Sequence, residues 1–228
     1  MRIVIKLGGS LIQDENGNIR IKYIKNLVKI LRNIKKDHEI AIVVGGGKSA
    51  RSYITAAREL GASEAFSDEI GIEIAKIHAR ILISALGELA YPKTFDSLSE
   101  AVSAFESGKI IILGGLQPGQ STNAVASLLA ERLNVNLLIN ATDVLGVYTA
   151  DPKQDPSAKK IDVLNISDFE KMVNLKKAKA GEYSLFDYVA FLIVKRSKLP
   201  IFFISGEEPN NILKIINGEK IGTKIVYE

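Results

Sequence analysis

Apolar residues fall in two rhythms along this chain, and the first 140 positions alternate between them. Ile3–Ile5, ending at Lys6, Ile40–Val44, Ile110–Leu113 and Val135–Asn140 are short, β-branched runs. Continuous rather than alternating apolarity predicts strands buried on both faces. Between the first two, Tyr23, Leu27, Ile30, Leu31 and Ile34 recur at helical spacing, which predicts an amphipathic helix over roughly 20–36. Further helices are expected over Ser49–Leu60, over Ser97–Phe105 behind a cap at Ser97 or Ser99, and over Ser121–Leu133. A long one is expected to start at a cap on Ser67 or Asp68 and run through Ile70, Ile74, Ile77, Ile81 and Leu82. Such alternation predicts an α/β fold, an open and mainly parallel sheet with helices on both faces.

Past residue 140 the rhythm is less regular. Val147–Tyr148 and Asp151–Asp155 read as a strand or hairpin with a Pro-bounded loop. Asp168–Asn174 and Leu185–Ser197 read as helices, Pro200–Ile204 as a strand and Asn211–Ile216 as a helix. Repeats, low-complexity tracts and linkers are absent from the sequence. The expectation is one domain over 1–228 with two lobes, about 1–115 and about 135–228.

Composition narrows the class without deciding it. The 228 residues are 46% hydrophobic and 25% charged, enough for a sizeable core in a soluble protein. No apolar run is long enough for a membrane span, and the opening M-R-I-V-I-K is too short for a signal segment. Cysteine is absent, which excludes a disulfide framework and thiolate metal sites and suits a cytoplasmic enzyme. A net charge of +4 suits anionic small molecules as well as nucleic acid.

The candidate chemistry lies in four glycine turns, each at the end of a predicted strand. Lys6-Leu7-Gly8-Gly9-Ser10 can place an ammonium on a phosphate held by backbone N–H groups, or be a plain turn with a solvated lysine. Gly45-Gly46-Gly47-Lys48-Ser49-Ala50-Arg51 ends like a P-loop, but Ile42 stands where that motif needs glycine. It also fits G-x-G-x-x-A, yet Asp68 opens a helix instead of ending a second strand, so a dinucleotide fold is disfavoured. What survives is a strand–glycine–helix turn for an anion, with Arg51 as a bidentate donor. Gly114–Thr122 is stiffened and reversed by Pro118-Gly119 and opens a helix at Ser121-Thr122, either a phosphate site or a capped entrance. In Thr142–Asp151, Asp143 can orient a lysine or hold a metal and Tyr148 can stack on a base; a simple β-turn is the other reading. Together these turns would meet along one sheet edge, where open α/β folds bind ligands.

Taken together, K-L-G-G-S at 6–10, V-V-G-G-G-K-S-A-R at 43–51, G-G-L-Q-P-G-Q-S-T with A-V-A at 114–126 and V-Y-T-A-D-P at 147–152 resemble the amino acid kinase superfamily, and within it the archaeal uridylate (UMP) kinases. The likeness spans essentially the whole chain. It implies a three-layer αβα sandwich and phosphoryl transfer from ATP to UMP, with Mg²⁺ accompanying ATP, in pyrimidine nucleotide biosynthesis. It implies small-molecule partners, with no nucleic acid or membrane, and a homo-oligomer, a hexamer in the family. By position it places Gly9, Ser10, Gly47, Arg51, Thr142, Tyr148 and Asp151 at ATP. It places Gly46, Asp68, Leu116, Gln117, Pro118, Gly119, Gln120, Ser121 and Thr122 at UMP. The N-terminal lobe would take the acceptor and the C-terminal lobe ATP. Lys6 would neutralise the transferring phosphoryl group; no protein residue is expected as a dedicated metal ligand.

Three departures from the family pattern bear on the chemistry. T-D-V-L-G-V at 142–147 has Leu145 where uridylate kinases carry an acid, so Asp143 becomes the expected lysine-orienting group. Asp187 is retained from a D-P-x-A pattern that here reads D-Y-V-A, and Asn123 stands where many relatives have Asp. A kinase of another small acid or phosphate, resembling acetylglutamate or isopentenyl phosphate kinases, and a non-catalytic nucleotide-binding protein are the competing readings.

Overall fold

A computed structural model describes residues 1–152, 154–175 and 186–227. In chain order its elements are β1 (Arg2–Leu7), α1 (Gly9–Ile12), α2 (Ile21–Ile34), β2 (Glu39–Val44), α3 (Gly47–Glu59), α4 (Glu64–Leu86), α5 (Leu98–Phe105), β3 (Ile111–Leu113) and α6 (Thr122–Arg132). There follow β4 (Leu137–Thr142), β5 (Val147–Tyr148), β6 (Lys160–Ile161), β7 (Val163–Asn165), α7 (Ile166–Leu175), α8 (Tyr188–Ser197), β8 (Ile201–Ser205), α9 (Asn210–Ile216) and β9 (Thr223–Val226).

Among the described residues the main sheet has seven strands in the order β3-β2-β1-β4-β8-β9-β7. The five strands from β3 to β8 run parallel. β9 reverses against β8 and pairs in parallel with β7. The chain moves outward from β1 through β2 to β3, then returns to β4 on the other side of β1. That reversal opens a crevice beside the carboxyl end of β1, where open α/β sheets take ligands.

Side-chain alternation divides the core into two layers. Ile3, Ile5 and Leu7 of β1 pack with Ile40, Ile42 and Val44 of β2 against α1, α2, α4 and α9. Val4, Ala41, Val43 and Leu138 face α5, α6, α7 and α8. Burying each large aliphatic side chain contributes about 1.5–3 kcal/mol, so this double-sided core fixes the register of β1. Phe169, Phe186, Phe191 and Phe203 close the second layer with ring centroids 5.3–5.7 Å apart. No helix among the described residues is long and apolar enough to cross a membrane.

The structure corrects several local expectations. α4 begins at Glu64 behind Ser63, whose hydroxyl accepts from the Phe66 N–H at 3.2 Å. Neither Ser67 nor Asp68 is its cap; Ser67 is buried within the helix. Ser63 was available with an acid at the next position, which favours a helix start. The hairpin reading of this region holds: β5 and β6 are antiparallel, and in the segment between them the Gln154 and Asp155 N–H groups both donate to the Asp151 carbonyl. The partner of β5 lies later, at Lys160–Ile161. β7 and β9 were not anticipated from the apolar pattern, because each is short and mixes apolar with polar positions. The helical start expected at Leu185 lies outside the described residues.

One backbone contact positions everything at the crevice. A Cβ on Gly9 would sit 2.1 Å from the Gly47 nitrogen and 2.7 Å from the Gly45 carbonyl oxygen, and Gly47 itself has φ of 64°. The first and second glycine turns therefore touch main chain to main chain, a contact that any side chain would separate. Gly9→Ala should cost about 1–3 kcal/mol through overpacking, read as a lower urea midpoint. An unchanged midpoint would show that the turns can part without penalty.

Candidate active site

Lys6, next to the carboxyl end of β1, lies on the strand face that Val4 shares with the layer of α6 and α8. Its register neighbours are Val43 and Asn140. Burial pushes its ammonium down to about 8, against the opposing attraction of Asp143 and then Asp187. A lysine so placed is costly unless charge faces it. The two carboxylates supply part of that charge, and a bound phosphate would supply more.

A cleft of about 850 Å³ is lined by Asp143, one of the two carboxylates that act on Lys6, while Lys6 itself is not among the lining residues. Arg20, Lys48 and Arg51 provide its cations, and Asp14, Glu15, Asp143 and Glu207 its acids. Of the residues singled out from the sequence, Ser10, Arg51 and Asp143 line it together. Asp143 follows β4, while Leu145 points away and is 58% exposed. Of these two positions, then, it is 143 whose residue lines the cleft. Arg20 makes a bidentate pair with Glu207 at 3.0 and 2.6 Å. Being partly exposed, the pair is worth at most about 1 kcal/mol, but it ties the segment before α2 to the loop after β8.

The remaining donor-side residues fall in less open places. Thr142 is buried, and its hydroxyl is engaged with the Val144 backbone at 3.3 Å in its own turn. Tyr148 is half-buried on β5, and Asp151 is half-buried at the turn described above. Gly9 is buried, while Gly46 and Gly47 keep some exposure at the start of α3.

The residues expected at the acceptor are brought together by hydrogen bonds. Asp68 Oδ2 accepts from the Gly119 N–H at 2.9 Å. Gly119 has φ of 77°, a left-handed turn that glycine adopts freely. Gln117, Pro118 and Gly119 are exposed, and Leu116 and Gln120 are half-buried. Ser121 caps α6 by accepting from the Asn123 and Ala124 N–H groups, each at 3.1 Å. Its hydroxyl proton goes to Asp187 Oδ2. Thr122 begins the helix and is half-buried.

Asp187 therefore has a larger part than its sequence context suggested. Its other oxygen caps α8 by accepting from the Ala190 N–H at 3.0 Å. It thus joins α8, the acceptor loop and the field at Lys6. The signal available in the sequence was an acid two residues ahead of an apolar helical run. His78 was also missed: it is buried, held below its ordinary pKa by burial, and its Nδ1 lies 2.8 Å from the Gly45 carbonyl oxygen. A neutral imidazole donating there anchors the second glycine turn to α4.

Three features define the chemistry of the site: a charged lysine at a sheet end, backbone amides of two touching glycine turns, and a loop held by two carboxylates. No group of three or more His, Asp or Glu side chains among the described residues is arranged to hold a metal ion. This is equipment for neutralising and aligning anions.

Residues 1–205 match the amino acid kinase family. The chain is 42% identical to the uridylate kinase of Methanobrevibacter smithii over 226 residues, covering 99% of both proteins. It is 39% identical to that of Methanothermobacter thermautotrophicus over the full length of both. Its fold superposes on the crystal structure of uridylate kinase from Archaeoglobus fulgidus with a TM-score of 0.87 at 39% identity, covering 99% of this chain and 100% of that one. The UMP kinase of Bacillus anthracis follows with a TM-score of 0.79 at 26% identity, covering 98% and 95%. With its parallel sheet, touching glycine turns and full-length likeness to these proteins, the chain belongs to the amino acid kinase family and groups there with the archaeal uridylate kinases.

Proposed function

We propose that this protein transfers the γ-phosphoryl group of ATP to UMP, giving ADP and UDP. The observation that carries this reading is Lys6, a half-buried cation facing Asp143 and Asp187 where the glycine turns converge with the acceptor loop. Full-length similarity to proteins named uridylate kinase supports the choice of acceptor. The UMP phosphate is already an anion, so no general base is required; the task is to bring two anions together in line. Lys6 neutralises charge on the transferring group, and Asp143 and Asp187 hold its ammonium on station. Gly9, Ser10, Gly47 and Arg51 contact the ATP phosphates, with Thr142, Tyr148 and Asp151 toward the rest of the nucleotide. Gly46 and the loop from Leu116 to Thr122 enclose UMP. Asp68 keeps one oxygen on Gly119 and offers the other to the ribose hydroxyls.

Mg²⁺ suits this site as a passenger of ATP. It binds chiefly through substrate phosphates and one or two carboxylates, and the cleft acids are spread out instead of caged. When bound, it would neutralise phosphate charge, with Asp143 the nearest candidate to hold it. We further assign the protein to cytoplasmic pyrimidine nucleotide synthesis, with no nucleic-acid or membrane partner. A homo-oligomer, a hexamer by resemblance, is favoured by Tyr53, Leu60, Phe66 and Ile77, large apolar side chains left exposed on or beside α3 and α4.

An ADP-release assay offering UMP, CMP, acetylglutamate and isopentenyl phosphate tests the proposal. UMP should turn over best; no turnover with UMP would sink it and leave the other acceptors or a purely binding role. Asp68→Ala should raise the KM for UMP by about 10–100-fold, the worth of a hydrogen bond to a charged group, with the KM for ATP nearly unchanged. Equal effects on both would refute the ribose assignment.

The pH profile reads Lys6 directly. Its cationic form is lost above about pH 8, so kcat/KM should fall roughly tenfold per pH unit on the alkaline side. Lys6→Arg should abolish that limb, because guanidinium stays charged. Asp143→Asn removes an attraction that raises the lysine, so the limb should move to lower pH. A profile identical in the parent and both variants would exclude Lys6 as the group observed.

A further inference from the structure

The third helix starts without a cap of its own. Its N-cap is Gly46, which makes no side-chain hydrogen bond. Glycine is enforced there, since a Cβ would lie 2.4 Å from Ala50 Cβ and 3.2 Å from the Gly71 carbonyl oxygen of α4. α3 therefore begins with first-turn amides that nothing in the helix can satisfy.

One of them is satisfied from a distant part of the chain. Gln13, directly after α1, accepts from the Ser49 N–H through Oε1 at 3.2 Å. Ser49 is the third residue of α3, the position that an N-cap side chain would normally serve. Gln13 Nε2 donates in turn to Ser49 Oγ at 2.7 Å and to the Gly17 carbonyl at 3.1 Å. The residue is only 5% exposed, so these contacts replace water. Lys48 adds a second tie, its ammonium donating to the Glu15 carbonyl.

The neighbouring amides are treated differently. Among the described residues no protein acceptor takes the N–H of Gly47 or Lys48. Both lie at the same helix end, beside a cleft lined by Lys48, Arg51 and Gln13 itself. A serine or aspartate at 46 would collide with α4, and an acid at 13 would place a negative charge where an anion is to bind. Glutamine at 13 caps the helix without either cost.

We propose that Gln13 is a positioning residue that caps α3 from outside the helix and so aims the Gly47 and Lys48 amides at the phosphates of the donor nucleotide. The inference rests on the phosphotransfer reading above and deepens it. Gln13 does not touch the reacting atoms; it acts through the helix that presents the amides.

Calorimetric titration of ADP and, separately, UMP into the parent protein, Gln13→Leu and Gln13→Glu tests this. Both variants should bind ADP about tenfold more weakly while UMP affinity changes less than threefold. The loss in Gln13→Glu should shrink as salt is raised, being electrostatic; that in Gln13→Leu should not. ADP binding equal to the parent, or equal losses for ADP and UMP, would overturn the proposal. Exchange of the Ser49 amide is the readout that needs no nucleotide: it should be protected in the parent and fast in Gln13→Leu. Rapid exchange in the parent overturns the cap even if the protein binds both nucleotides. A protected amide in a parent that binds neither nucleotide overturns the donor-site assignment. Should Gln13→Leu fail to fold, Gln13→Met, close in shape to glutamine but without the amide oxygen that accepts from Ser49, takes its place with the same expected losses.

Discussion

The close approach of Gly9 to Gly47 is the constraint on which the site depends. Two strand ends on neighbouring strands deliver their turns to the same place, and only bare main chain fits between them. Once those turns touch, their amides lie at one end of the sheet, next to the crevice that the return from β3 to β4 opens. The same economy of side chains extends to Gly46, pressed against Ala50 and Gly71. A surface that backbone must approach this closely cannot carry its own caps, and polar groups from other segments take over. Gln13 serves α3, His78 holds the Gly45 carbonyl, and Asp68 fixes Gly119.

Electrostatics then follow from topology. β1 is central and flanked by strands on both sides, so Lys6, near its carboxyl end, is partly stripped of water. The burial penalty on the lysine is opposed by Asp143 and Asp187, which arrive from two other elements, after β4 and before α8. Asp187 also accepts from Ser121, so the acceptor loop and the lysine share one carboxylate. Loop, helix and ammonium are thereby fixed relative to one another by contacts within the chain, the kind of preorganisation that phosphoryl transfer rewards.

Much of this was legible in the residues. The strand–helix alternation, the four glycine turns and their convergence on one edge follow from periodicities of two and 3.6 and from the rules of parallel sheets. Element ends moved by a few residues where capping competed, as at Ser63 against Ser67 and Asp68. The strands β7 and β9 escaped because strands of three and four residues that mix apolar with polar positions lack the continuous apolarity of the central ones. Gln13 was invisible for another reason: a glutamine in a loop carries no local signature, and its partner Ser49 is 36 positions away.

The sequence by itself determined the class of fold, the sites of the glycine turns and the lysine at the end of the first strand, because these depend on local sterics and on patterns of burial. Only the tertiary structure decided which turns touch, that Asp187 stands with Asp143 at Lys6, that Asp68 binds the acceptor loop, and that Gln13 caps a helix it does not belong to. Those are contacts between residues far apart in the chain. Their distances are set by how the layers pack, a property that no single segment carries.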